Sequence, residues 1–165
     1  MSVCRIRPAV AVDAAAVAEI YSHFVRATTF TFELDAPDAA EMLCRMEDVQ
    51  RQGFPYLVAE AEGRVVGFAS AKQFRPRPAY RFTVEDTIYV DPAWSGRGIG
   101  HELLTALIDG CRDAGAKRMI ALKVGENPAS IAFHAAHGFV LAGVLREVGF
   151  KFERWLDLTL MQRTL

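Results

Sequence analysis

The chain is poor in cysteine, in net charge and in long apolar runs, and each shortage removes a class of function. Its three cysteines, Cys4, Cys44 and Cys111, stand far apart. No Cys-x-x-Cys pair offers a zinc site, and an odd, scattered set makes no disulfide framework. Reduced, mostly buried thiols in a cytoplasmic protein are therefore expected. With 19 Lys and Arg against 20 Asp and Glu, the formal net charge is -1. That leaves no broad basic field for nucleic acid or an anionic membrane. No window approaches the roughly 20 apolar residues of a membrane span. Arg5, Arg7 and Pro8 interrupt the N-terminal stretch, which argues against a signal peptide. Repeats, low-complexity tracts and linkers are absent; Arg75-Pro76-Arg77-Pro78 and Asp91-Pro92 are too short to separate domains. What is plentiful is core material, 52% hydrophobic residues over 165 positions. That suits one domain, 1–165, needing no disulfide or structural metal.

Apolar periodicity marks the elements. Val3 to Arg7 alternates as a strand. Asp13 is placed to cap a helix whose stripe is Val17, Ile20, Tyr21 and Phe24. Pro37 and Asp38 open a second helix with Met42, Leu43, Met46 and Val49 inward, ended by Gly53. Tyr56 to Glu60 and Val65 to Lys72 form a hairpin about Glu62-Gly63. Tyr80 to Val90 is a longer strand. A third helix buries Leu103, Leu104, Leu107, Ile108 and Cys111, and Gly115 follows its end. Met119 to Val124 is the next strand. Asn127 and Pro128 start a short helix that Gly138 ends. Phe139 to Leu145 and Leu156 to Met161 close the chain around Gly149. The order β-α-α-β-β-β-α-β-α-β-β predicts an α/β (α+β) fold with a mixed, mostly antiparallel sheet of about seven strands flanked by about four helices.

Between the Tyr80–Val90 strand and the third helix lies Trp94-Ser95-Gly96-Arg97-Gly98-Ile99-Gly100. Glycines let the backbone turn sharply and let a ligand come close. Unpartnered amides at a helix start carry partial positive charge, so the loop suits a diphosphate. Arg97 and His101 add side-chain donors. A dinucleotide fingerprint fails because His101 stands where its last glycine belongs, and a P-loop lacks its Gly-Lys-Ser/Thr.

Thr83-Val84-Glu85-Asp86-Thr87-Ile88-Tyr89-Val90 with the glycine loop resembles the acetyl-CoA motif of the GNAT acetyltransferases. Asn127-Pro128-Ala129-Ser130-Ile131-Ala132-Phe133-His134 and Gly138-Phe139 resemble that superfamily's second motif. Thr83-Val84-Glu85, His134 and the tail Gly149-Phe150-Lys151-Phe152 with Arg154-Trp155-Leu156-Asp157 resemble the phosphinothricin and methionine sulfoximine/sulfone acetyltransferase branch. The likeness runs from about Arg5 to about Arg163. One position departs: Ser95 stands where Gln or Arg is usual.

The resemblance implies the GNAT fold and an enzyme that transfers acetyl from acetyl-CoA to the amine of a small amino-acid-like acceptor. It implies that Ile88, Tyr89 and Val90 pair by their backbone with the pantetheine arm of coenzyme A, where the strand splays from its neighbour. Gly96, Arg97, Gly98, Ile99, Gly100, His101, Asn127 and Ser130 complete the cofactor site. It implies a homodimer as well.

The chemistry asks for a base, an oxyanion donor and help for a leaving thiolate. A free α-amine is about one-tenth neutral at pH 7, so a modest base suffices, and Glu85 is the candidate. A backbone N–H near Val90 suits the oxyanion. His134 takes the position of a superfamily tyrosine and stands as acid, base or hydrogen-bond donor. His134 and His137 lack a third ligand, so no metal is expected. The acceptor site is read as Phe30, Phe32, Arg75, Pro76, Arg77, Glu85, Asp86 and Thr87, with the arginines as a fork for a carboxylate or phosphinate. Trp155 and Asp157 shape the final hairpin or a subunit contact. Two other readings stay open: an acetyltransferase for another amine (peptide N-terminus, polyamine, aminoglycoside) and a non-catalytic acetyl-CoA sensor.

Overall fold

A computed structural model describes residues 4–165. The first strand, β1 (Arg5–Pro8), leads through a short 3-10 turn into α1 (Ala14–Ala27) and α2 (Ala39–Arg51). The hairpin β2 (Tyr56–Ala61) and β3 (Arg64–Gln73) is followed by β4 (Thr83–Val90) and α3 (Ile99–Asp113). Then come β5 (Arg118–Val124), α4 (Pro128–Ala136), β6 (Val140–Lys151) and β7 (Arg154–Thr164). This is the order expected from periodicity. Val3, expected in the first strand, lies outside the described residues.

One sheet of seven strands runs β1-β2-β3-β4-β5-β7-β6. Neighbours are antiparallel except β4 and β5. Those two pair only at Thr83↔Arg118, Val84↔Met119 and Glu85↔Ile120. Beyond Glu85 they diverge. β4 continues against β3 as far as Val90, and β5 continues against β7 as far as Val124. A slot opens between them, and alternate backbone N–H and C=O groups of β4 face it without a strand partner.

The sheet is covered on both faces, which explains the unbroken burial of Val66 to Ala71 in β3. On one face Leu103, Leu104 and Leu107 of α3 pack with Val84 and Met119. On the other, Val17 and Val25 of α1 and Met42 and Met46 of α2 pack with Val58 and Phe68. Each fully buried side chain of this size contributes about 1.5–3 kcal/mol. Cys4 and Cys111 are buried and Cys44 exposed. Burial pushes the Cys111 thiol up to about 12, so it is inert at neutral pH.

Three local expectations are corrected. Asp13 does not cap α1; its carboxylate accepts from the Val10 amide and from both guanidinium nitrogens of Arg7, at 2.8, 2.8 and 2.9 Å. A charged fork outcompetes a cap. The strand read from Tyr80 begins at Thr83, because Pro78 fixes a 3-10 turn over Pro78–Tyr80. The last two strands are longer than periodicity indicates and turn at Phe152-Glu153, not at Gly149.

Candidate active site

The glycine loop is preset by its own residues. Asp91 accepts from the Ala93 amide at 2.9 Å, and the Arg97 guanidinium lies 4.5 Å over the Trp94 ring. Gly96 and Gly98 hold φ of 76° and 82°, left-handed values that glycine adopts without strain. No side chain caps α3 at Gly98, so the amides at its start are left for a ligand. Fifteen residues of helix stand behind that end. The Ile99 side chain is buried in the core, so only its backbone faces outward.

A cavity of about 940 Å³ joins this loop to the slot and runs on to the opposite side of the sheet. Ser95, Gly96 and Gly100 line one end; Asn127 and Ser130 at the start of α4 stand beside them. Asn127 caps α4 by accepting from the Ser130 amide at 3.2 Å. Ile88, Tyr89 and Val90 form the middle wall. The Tyr89 ring turns away to Phe24, Tyr21 and Phe68, with centroids at 4.8, 5.0 and 5.7 Å, which leaves its backbone to the slot. Glu85, Thr87, Phe30 and Phe32 line the far end.

Glu85 is held at the cavity wall with 18% of its side chain exposed. Burial raises its carboxyl above the usual carboxylate range, against the attraction of Lys72 and Arg75. Arg75 reaches only the rim, 3.7 Å from Glu85 Oε2, with half its side chain exposed. Its guanidinium rests on the Phe74 ring and donates to the Phe74 carbonyl. Pro76 and Arg77 are exposed and off the cavity wall. The expected two-arginine fork is thus not assembled; Lys72, opposite Glu85 in the β3–β4 register, lines the wall instead.

Asp86 lines the cavity between Glu85 and Thr87, whereas His134 lies behind it. The side chains of both are fully buried, and His134 Nε2 is 2.7 Å from Asp86 Oδ2. His134 Nδ1–H donates to the Ser130 carbonyl at 2.8 Å. That carbonyl only accepts, so a second proton must sit between Nε2 and Oδ2, and the pair carries two protons and no net charge. Burial works against the Asp86 carboxylate, but Lys123 and the His134 hydrogen bond outweigh it and hold Asp86 below the usual range. His134 is off the cavity wall, with both nitrogens engaged. His101 is also off the wall; its ring lies 4.6 Å from that of His137.

Sequence reasoning missed two features. Lys123 of β5 lines the slot although it is buried; one lysine in an apolar strand is its only trace in the sequence. A second polar set supports the Phe30–Phe32 wall. Tyr21 OH bonds Thr31 and Glu33, Arg45 forks onto Glu33 at 2.6 and 3.0 Å, and Lys151 donates to the Thr31 carbonyl at 2.9 Å. Bonded partners in this set are up to 120 positions apart, and no local pattern links them.

A splayed parallel pair beside an open helix start is a fold-level signature, and comparison with known proteins decides its meaning. The acetyltransferase (GNAT) family model matches residues 17–139. The chain belongs to that family. A curated phosphinothricin N-acetyltransferase of Alcaligenes faecalis is 48% identical over 98% of this chain and 83% of its own length. An L-methionine sulfoximine/L-methionine sulfone acetyltransferase of Salmonella typhimurium is 42% identical over 95% of this chain and 92% of its own. A GNAT superfamily phosphinothricin acetyltransferase from Sinorhizobium meliloti, solved in complex with acetyl-CoA, superposes with a TM-score of 0.96. It is 45% identical, over 99% of this chain and 89% of that one. Within the GNAT family this chain thus has both sequence and structural relatives along almost its whole length.

Proposed function

We propose that this chain is an acetyl-CoA-dependent N-acetyltransferase for the amine of a small amino-acid-like acceptor of the phosphinothricin or methionine sulfoximine/sulfone type. One observation carries the reading. A single cavity connects amides suited to a diphosphate with a buried carboxylate suited to an amine. The residues fit the donor: a Cβ built at Gly96 or Gly98 meets nothing within 4 Å, so the loop surface is open to a ligand. The Gly96–Gly100 backbone, with Arg97 at its edge, would hold the diphosphate. The slot-facing backbone of Ile88 to Val90, with Asn127 and Ser130 opposite, would hold the pantetheine arm. When bound, acetyl-CoA supplies an activated acyl group on sulfur. Glu85 takes the proton from the acceptor nitrogen, directly or through water. The amide near Val90 faces the carbonyl oxygen. His134, tied to Ser130 and Asp86, positions the slot wall rather than meeting the reacting atoms. Lys72 and Arg75 face the acceptor's acid group, and Phe30, Phe32 and Thr87 shape its side-chain pocket.

The chain acts as one domain, 1–165, in the cytoplasm, as a homodimer. Exposed apolar side chains along the edge strand β6, including Leu141, Leu145 and Phe150, support the dimer. No described helix is long and apolar enough to cross a membrane.

Two measurements test the reading together. Calorimetry with acetyl-CoA should give saturable, one-site binding. A thiol-release screen should find turnover with phosphinothricin, methionine sulfoximine or methionine sulfone above that with polyamines and aminoglycosides. Binding without turnover on any amine would leave a sensor, and no binding by a folded sample would remove the assignment.

A further inference from the structure

Lys123 is buried yet has no hydrogen-bond partner among the described residues. Its side chain is 9% exposed, and its one ion pair, to Asp86 Oδ1, is long at 3.9 Å. Lys151, the other lysine this deeply buried, gives its ammonium to the Thr31 carbonyl at 2.9 Å. An ammonium carries three donors, and none of them is spent on a hydrogen bond to the described residues, while the side chain lines the cavity. Asp86 Oδ1, the atom it faces, is itself without a hydrogen bond. The pair is therefore held together but not closed.

The fold explains where the unused donors point. Lys123 lies on β5 beyond the last β4–β5 pair, where the slot has opened, and it lines the cavity with Ile88 and Val90. His134, expected as acid, base or hydrogen-bond donor, has both ring nitrogens engaged by Ser130 and Asp86. The groups that set the charge on this amine come from one strand and one helix: Asp86 and Glu85 of β4, and His134 of α4 through its bond to Asp86. The His134–Asp86 pair is neutral when it keeps two protons, so Lys123 is the cation on that wall of the slot.

Resting on the acetyltransferase reading above, we propose that Lys123 is a catalytic residue that receives the departing sulfur. The Lys123 ammonium pairs with the sulfur that takes up the C–S electron pair as the acceptor nitrogen's lone pair closes the C–N bond. Glu85 removes the surplus proton from that nitrogen and gives it up to solvent, and coenzyme A leaves as its thiolate, which takes a proton from solvent. Atoms and charge balance without any further reactant. Burial lowers the Lys123 ammonium, against the pull of Asp86 and Glu85, so an anionic sulfur beside it would favour its charged form.

The test reads the state of a bound thiol, not only turnover. Coenzyme A, with a free thiol of pKa about 8.5, is bound to wild type, K123M and K123R, and the thiolate absorbance is titrated. In wild type and K123R the bound thiol should ionise about 1 to 3 pH units lower than in K123M. Calorimetry in two buffers of different protonation enthalpy should show proton release on binding to wild type but not to K123M. Desulfo-coenzyme A should release none with either. In turnover, kcat of K123M should fall about 10²-fold with little change in donor KM. If K123M is unstable because Asp86 loses its counter-charge, the D86N/K123M double variant takes its place in every arm. Equal thiol titration in wild type and the methionine variants, with coenzyme A bound in each, overturns the role of Lys123 and leaves the acetyltransferase reading intact. No coenzyme A binding to wild type overturns both.

Discussion

Glu85 works as a base only when ionised, and its setting decides the pH at which that happens. Burial raises its carboxyl, so activity should fall as pH drops through that raised value. In E85Q this acid limb should vanish from the kcat profile, kcat should drop about 10²-fold, and acetyl-CoA affinity by calorimetry should hold. Unchanged kcat in E85Q would take Glu85 out of the mechanism. A second residue-scale prediction concerns stability. Hydrogen bonds from Arg7 hold the Asp13 carboxyl below its ordinary value, overcoming its burial. Because the folded value is depressed, the contribution is present above the unfolded pKa of about 3.9. It is lost as pH falls through the folded value. D13A should cost about 2 kcal/mol in urea denaturation at pH 7. The gap from wild type should narrow as pH falls below about 3.9.

At the scale of elements, the β6–β7 hairpin reaches the acceptor end of the cavity. Asp157 holds a bulge in β6 by accepting from the Glu147 amide at 2.9 Å and from Arg146 at 2.6 Å. This is the shaping role the tail motif indicates. Just past the bulge, Gly149 packs its backbone against the Phe32 ring, and a methyl group there would overlap the ring. G149A should therefore push Phe32 off its seat. The acceptor KM should rise about tenfold, equivalent to about 1.4 kcal/mol, while acetyl-CoA affinity stays level. Equal acceptor KM in G149A would show that the Phe32 wall does not touch the acceptor. Much of this scale was legible beforehand: apolar stripes located α1 to α3, Asn127, Pro128 and Gly138 bounded α4, and glycines marked the phosphate-facing loop. The Phe32–Gly149 contact was not, because a strand glycine reads the same whether it faces solvent or a ring.

For the whole molecule, the sheet ends at β6, and the proposed dimer rests on the exposed apolar side chains of that strand. Phe150 and Trp155 meet edge to face with centroids 5.3 Å apart on that hairpin, each more than half exposed. Sedimentation of the wild type should give twice the monomer mass, and a W155D/F150D variant should sediment as a monomer. A wild type that stays monomeric at micromolar concentration would sink the dimer.

Local patterning determined the order of elements and the glycine loop, because period, turn chemistry and helix-end electrostatics act over a few residues, and the family resemblance singled out Glu85 as the candidate base. Tertiary structure decided what those elements enclose. It splayed β4 from β5 after three paired positions. It left Arg77 in solvent, closed His134 behind Asp86 and turned Lys123 into the slot. Those outcomes depend on which buried charges find partners across strands and helices, a balance of desolvation against hydrogen bonding that exists only once the chain is folded.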